Sequence, residues 1–230
     1  MKPVPRDGVT LRQAALIVGF TYLLNPVSYA EFAIYPKLVI AGNITQTVAN
    51  IGAHHGLFVA MLCCYLVDFI EDVIIAWGLY VLLAPVNRAL SLLAAWFQVV
   101  YAAIALAGLF NLAVVDRMVV TPEYLKLFGA GPFHAQVELL IHSFRYDYSP
   151  ALVLFGIHLL LVGSLIVRSH YIPWWLGVIL MANGLGWVID SLQPYLYPEA
   201  NLGFVFFTFF GEIVFLLWLL IRGWSIPEPA

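Results

Sequence analysis

The stretch ALSLLAAWFQVVYAAIALAGLFNLAVV, residues 89–115, decides the fold. None of its 27 residues is Asp, Glu, Lys or Arg. As an α-helix rising 1.5 Å per residue it would be about 40 Å long, more than the ~30 Å hydrocarbon core of a bilayer. Its neighbourhood is of the same kind. Across 230 residues the chain is 63% hydrophobic and 10% charged, with a mean hydropathy of +0.94. A soluble domain carries about a quarter charged residues, so an ordinary soluble fold is excluded. The expectation is an all-α fold, a polytopic transmembrane helical bundle forming one integral membrane domain over residues 1–230.

Runs of about 20 apolar residues count as spans, and six qualify: roughly 13–35, broken by Asn25-Pro26, then 56–83, 89–115, 149–167, 173–192 and 202–221. Pro85, Pro173 and Pro198 fall at turns or helix starts, where a missing N–H costs little. One or two interfacial amphipathic helices complete the bundle. Residues 116–148 read as two short helices around Gly129-Ala130-Gly131-Pro132. The second carries His134, Glu138, His142 and Arg145 on one face and Val137, Leu140 and Phe144 on another. Residues 43–55 read as a similar helix leading into the second span.

Bases at Lys2, Arg6 and Arg12, an apolar run from Ala14 and the triplet Ser28-Tyr29-Ala30 have the layout of a signal peptide. We read the segment instead as a retained first span. With six spans, Lys2, Arg6, Arg12, Arg88, Arg168 and Arg222 fall on one side and Lys37, Arg117, Lys126 and Arg145 on the other. The positive-inside rule then puts both termini in the cytoplasm. The expected surroundings are lipid. Thirteen acids against ten bases, with no basic cluster, leave no footing for nucleic acid. Cys63 and Cys64 are adjacent and point about 100° apart on a helix, which suits core residues and no disulfide.

All ten Lys and Arg lie outside the apolar runs or at their ends, whereas Glu31, Asp68, Glu71, Asp72, Asp190 and Glu212 lie within or near them. Asp68, Glu71 and Asp72, spaced i, i+3, i+4, share one helix face. An ionised acid near the bilayer centre costs about 2.5–3.5 kcal/mol, so three in one helix would cost roughly 8–10 kcal/mol if left without partners. They are therefore expected to be protonated, to face a wet cavity, or to bind a cation. The alternative is a polar patch satisfied by Gln98, Tyr101 or Tyr80 of neighbouring helices.

His158 sits mid-way along the fourth span, as a relay, a ligand or a hydrogen-bonded core residue. Glu212 sits mid-way along the sixth, on a stripe with Asn201 and Thr208, and Gln98 on a stripe with Asn87 and Ser91. Asp68, Glu71, Asp72, His158, Glu212 and Gln98 are the candidate binding residues. A divalent metal has a candidate ligand set in Asp72, His158, His134, Glu138 and His142, because residues at i and i+4 on one helix can share an ion. The order His-Glu-x-x-His is missing, and a solvated face explains His134, Glu138 and His142 equally. No Gly-x-Ser-x-Gly elbow, phosphate-binding glycine loop or dinucleotide fingerprint is present, so serine hydrolase, nucleotide-driven pump and Rossmann chemistry have no support.

The stretch Phe155-Gly-Ile-His158-Leu-Leu-Leu-Val-Gly163-Ser-Leu-Ile-Val-Arg168-Ser169-His-Tyr-Ile172-Pro173-Trp-Trp-Leu176-Gly177 resembles the bacterial membrane family catalogued as domain of unknown function 4386. Weaker matches stand at Asn50-Ile51, at Asp68, and from Leu79-Tyr80 through Pro85 and Asn87. The resemblance implies a compact bundle of six or seven helices in the bacterial inner membrane, and no established activity, substrate or cofactor. It marks His158 and Asp68 as motif positions without giving either a role.

Three functions compete. In the first, Asp68, Asp72, His158 and Glu212 form an inward polar site that binds or transports protons, a cation or a small amphipathic solute. In the second, the chain is a non-catalytic accessory subunit of a membrane complex or a homo-oligomer, its polar stripes fastening helices together. In the third it is a metal-dependent lipid hydrolase, which requires three of the candidate ligands to converge on one ion.

Overall fold

The computed structural model describes residues 8–228, apart from the side chains of Asp147 and Phe204. Lys2 and Arg6, used above to orient the chain, lie outside the described residues. Every regular element among those described is helical. Helix α1 (Leu11–Leu24) stops before Asn25-Pro26. A short turn, α2 (Val27–Tyr29), leads into a π-helical turn at Ala30–Ile34 and into α3 (Tyr35–Leu38). Then follow α4 (Ile44–Ala53), α5 (His55–Leu83), α6 (Arg88–Val120), α7 (Pro122–Phe128) and α8 (Ala130–Arg168). Helix α9 (Trp174–Leu196) and a 3-10 segment (Gly203–Phe209) precede α10 (Phe210–Arg222).

Among the described residues, four helices are long and apolar enough to cross a membrane: Arg88–Val120, Ala130–Arg168, Trp174–Leu196 and Val205–Ser225. The expected six are not all of this kind, for two physical reasons. Helix α1 is only 14 residues, because Pro26 cannot supply the N–H that would continue it. Helix α5 has 29 residues, ample in length, but every 18-residue window in it contains Asp68, Glu71 and Asp72.

The interval 116–148 also differs from expectation. Asp116 and Arg117 belong to the last turns of α6, since its buried stripe runs on through Leu109, Leu112, Val115 and Met118. The second of the two short helices is the beginning of α8, which continues unbroken through Pro150. A mid-helix proline removes one backbone hydrogen bond and crowds the preceding turn. The helix persists because Ile141, Phe144, Ala151, Leu152 and Phe155, on both sides of the proline, are all buried. The 43–55 segment forms a helix as expected, with the Asn43 side chain accepting from the Gln46 N–H at 3.0 Å.

The chain divides into two compact units. One comprises the described residues up to Leu24, Val73–Val99 and Val153 onward. In it α1 packs on α10 through small residues: a Cβ on Gly19 would lie 3.3 Å from Leu219 Cβ. The end of α8 lies against α9 at two glycine pairs. A Cβ on Gly156 would stand 2.6 Å from the Gly184 carbonyl oxygen, and one on Gly163 2.5 Å from that of Gly177. Ser169 closes α8, donating to the Ile166 carbonyl at 2.8 Å and accepting from the Ile172 N–H at 3.2 Å.

The other unit comprises Asn25–Asp72 and Val100–Leu152. Its core holds Ile34, Leu38, Ile51, Phe58, Met61 and Tyr65, with Phe133, Val137, Ile141 and Phe144 from one stripe of α8. Thr47 secures the turn before α4 by accepting from the Ile40 N–H at 2.9 Å. Asn50 donates to the Lys37 carbonyl at 3.2 Å.

Candidate functional site

Helix α5 is built inside out relative to a soluble protein. Leu66, Val67, Ile70, Val73, Ile74 and Trp77 are exposed, Ile70 by 53%, while Asp68, Glu71 and Asp72 are 5%, 8% and 8% exposed. The three acids fall at the middle of the 29-residue helix and span about 100° of its circumference. An apolar exterior around a buried acidic face is what a lipid solvent selects.

Four other segments of the same unit supply polar groups to this region. The break after α1 frees Asn25, whose side-chain amide donates to Asp68 Oδ1 and whose Oδ1 accepts from the Val27 N–H at 3.1 Å. The π-helical turn carries Glu31. Its Oε1 accepts from the Tyr65 hydroxyl at 2.5 Å, and its Oε2 pairs with Arg145 of α8 at 2.8 Å. The guanidinium lies 4.2 Å from the centroid of the Tyr35 ring. From α6 and α8, the hydroxyls of Tyr101 and Tyr148 bond each other at 2.8 Å. Both phenols are within electrostatic reach of Asp68 and Asp72. Phe69 and Phe144 pack around Tyr148, with ring centroids 6.1 and 5.9 Å away.

Glu31 therefore has a basic partner, although every Lys and Arg lies outside the apolar runs or at their ends. The expected interfacial helix with His134, Glu138 and His142 held Arg145 apart from the spans. With α8 continuous, Arg145 lies on the same helix as the expected span 149–167 and reaches Glu31. Glu71 stands differently: its Oε2 is buried and accepts no hydrogen bond.

Gln98, His158 and Glu212 belong to the other unit, so the six candidate binding residues divide three and three. His158 is fully buried; its Nδ1 bonds the Ala94 carbonyl at 2.8 Å, and its Nε2 has no partner. Beside it a narrow gap lined by Tyr80, Ser91 and Ala95 among others has no room for a water molecule. Glu212 lies in the first turn of α10 and inside the membrane-length stretch Val205–Ser225, directly after a 3-10 segment. Of the expected stripe, Thr208 keeps the side of Glu212: it lies against Gly186 of α9 while donating to the Val205 carbonyl at 2.7 Å, whereas Asn201 turns to its own loop and accepts from the Gly203 N–H at 3.1 Å. Glu212 Oε2 accepts from Asn183 at 3.0 Å and from the Trp187 indole at 3.3 Å.

The metal candidates do not assemble. His142 and Glu138 approach to 4.0 Å on an exposed face of α8, and His134 meets Thr45 at 3.4 Å. Among the described residues no group of three or more His, Cys, Asp or Glu is disposed to hold an ion. The three converging ligands of a hydrolytic zinc centre are thus not present among them. His55, the exposed first residue of α5, bonds Asp116 at 2.9 Å.

The family described as Domain of unknown function (DUF4386) matches residues 17–223. An uncharacterized protein of Archaeoglobus fulgidus is 33% identical over 159 residues, covering 69% of this chain and 81% of the relative. No solved structure matches the chain. The residues that carried the resemblance have structural work: Gly156, Gly163 and Gly177 bring α8 and α9 together, His158 holds Ala94, and Ser169 ends α8.

Proposed function

The chain belongs to the DUF4386 family, and from that premise we propose that it is a multipass protein of the cytoplasmic membrane whose α5 carboxylates bind and pass on protons. In this reading the bundle has six crossings with both termini in the cytoplasm. Helix α5 is one of the crossings, its acids turned inward and its apolar face toward lipid. The observation that carries the reading is Glu71. A buried carboxylate oxygen without a donor, one turn from Asp68 and next to Asp72, is relieved by a proton shared within the group. Asn25 and the Tyr101–Tyr148 hydroxyl pair supply hydrogen-bonding groups around it.

The test uses the full-length protein in liposomes holding a pH-sensitive dye, with infrared difference spectra of the same preparation. A protonated-carboxyl band that disappears in Glu71→Gln, together with dye-reported proton movement lost in Asp72→Asn, supports the reading. Absence of both signals in folded wild type overturns it.

A purely structural role as an accessory subunit draws support from His158, whose bond to Ala94 ties α8 to α6 without any ligand. It gives a different outcome in the same experiment: Glu71→Gln and Asp72→Asn change the melting temperature and leave both proton signals absent throughout.

A further inference from the structure

In the unit containing α9 and α10, Glu212 presents a chemical mismatch. Both donors that reach its carboxylate among the described residues, Asn183 Nδ2 and Trp187 Nε1, converge on Oε2 and leave Oε1 to other partners. No Lys, Arg or His among the described residues lies within 4.0 Å of it. Asn183 is 0% exposed, and its own Oδ1 is buried without a donor. A buried amide oxygen left bare costs free energy, and native structures rarely leave one so without a reason.

The surroundings hold these groups in place. A Cβ on Gly211 would lie 2.9 Å from Ile179 Cγ2 and 3.1 Å from Asn183 Cβ, so α9 and α10 are pressed together at this level. The Trp187 indole is stacked on Phe209 at 4.2 Å between centroids and meets the edge of Phe155 at 5.9 Å. With the indole and the amide fixed, their N–H groups stay on Oε2. The acceptors left over are one carboxylate oxygen and one amide carbonyl oxygen.

We propose that Glu212 and Asn183 form a binding site for a monovalent metal cation, Na⁺ or K⁺, between α9 and α10. Hard cations take oxygen ligands of these two types. A single carboxylate supplies one negative charge, which balances a monovalent ion and falls short of a divalent one. The cation gives Asn183 Oδ1 the partner it lacks and neutralises a carboxylate that has no base beside it. The site shares no residue with the acidic face of α5 and stands or fails separately from the proton reading.

Equilibrium dialysis of detergent-solubilised full-length protein with ²²Na⁺ and with ⁸⁶Rb⁺ as the K⁺ probe tests the site directly, at constant ionic strength made up with choline. The expected result is saturable uptake of one of the two ions at about one per chain. Uptake is lost in Glu212→Gln and at least tenfold weaker in Asn183→Leu, yet unchanged in Asp72→Asn. Glu212→Gln keeps an acceptor for Asn183 and Trp187, which favours retention of the fold. Should that variant fail to fold, the wild type still decides: its thermal midpoint rises with Na⁺ or K⁺ and not with choline. No saturable uptake by folded wild type, uptake that survives Glu212→Gln, or equal stabilisation by choline each overturns the proposal.

Discussion

Gly163 and Gly177 face each other across α8 and α9 so closely that a Cβ on either would collide with the other's carbonyl oxygen. Gly156 and Gly184 repeat the contact two turns away, seven residues earlier on one helix and seven later on the other. In lipid, where apolar surface alone gives helices no reason to associate, such backbone proximity is a principal source of packing energy.

Gly177→Ala should therefore lower stability by about 1–3 kcal/mol, the usual cost of forcing a methyl group into a packed interface. Gly203→Ala is the control, since a Cβ there would come no nearer than 3.4 Å to Asn201 Oδ1. Thermal unfolding in a fixed detergent should separate the two, and equal midpoints would show that α8 and α9 pack differently.

The Glu31–Arg145 pair is half-buried, with side-chain exposures of 25% and 40%. Its loss should fall between the small value of a surface pair and the 3–5 kcal/mol of a fully buried one, at about 1–3 kcal/mol for Arg145→Met. Glu31→Gln combined with Arg145→Met should cost less than the sum of the two single changes, because neither residue is then left charged without the other. A double-mutant cycle on unfolding midpoints measures this coupling, and strict additivity would remove it.

Glu228 receives the backbone N–H groups of Leu11 and Arg12 at 3.1 and 3.0 Å, capping the start of α1. Partial desolvation pushes its carboxyl up, but these bonds, the Thr10 side chain and the Arg12 charge outweigh it, leaving the group below the ordinary glutamate range. A depressed value stabilises the folded state above the unfolded pKa, and that stability is lost as pH falls through the folded one. Protection of the Leu11 and Arg12 amides from exchange should thus weaken as pH falls below the ordinary glutamate range. The carboxylate is largely exposed and screened, so Glu228→Gln should weaken protection only about twofold at neutral pH.

His158 donates from Nδ1 to a carbonyl, which fixes the proton on that nitrogen and leaves Nε2 with a bare lone pair. Nitrogen-15 spectra should show one protonated and one unprotonated ring nitrogen in that order. The reverse order would mean that the bond to Ala94 is not made. His158→Leu should cost about 1 kcal/mol, the net worth of a typical hydrogen bond.

The membrane character of the chain and most helix positions were legible, because an uncharged run such as 89–115 has only one stable use and Asn43 announces its helix by capping it. The continuity of α8 was not, since Pro150 normally argues for a boundary and only the buried stripe on both sides of it overrides that. The acidic face of α5 was visible from spacing alone. Its partners were harder: Asn25 reads as a helix breaker and Arg145 as a surface cation until the fold brings them to Asp68 and Glu31. At Glu212 the wheel angles assumed α-helical pitch through Gly203–Phe209, where the chain is 3-10, so the partners Asn183 and Trp187 could not be derived.

The π-helical turn at Ala30–Ile34 has a meaning in residues counted rather than bonds made. A π-turn is an α-helix holding one residue too many. On a regular helix Asn25 and Glu31, six apart, would point about 240° from each other. Yet Asn25 meets Asp68 and Glu31 meets Tyr65, three residues apart on α5. The interruption at Pro26 and the surplus residue together make up that angular difference. Deleting a single residue such as Ala33 would restore ordinary helical pitch and force the segment to keep one of its two partners at the expense of the other.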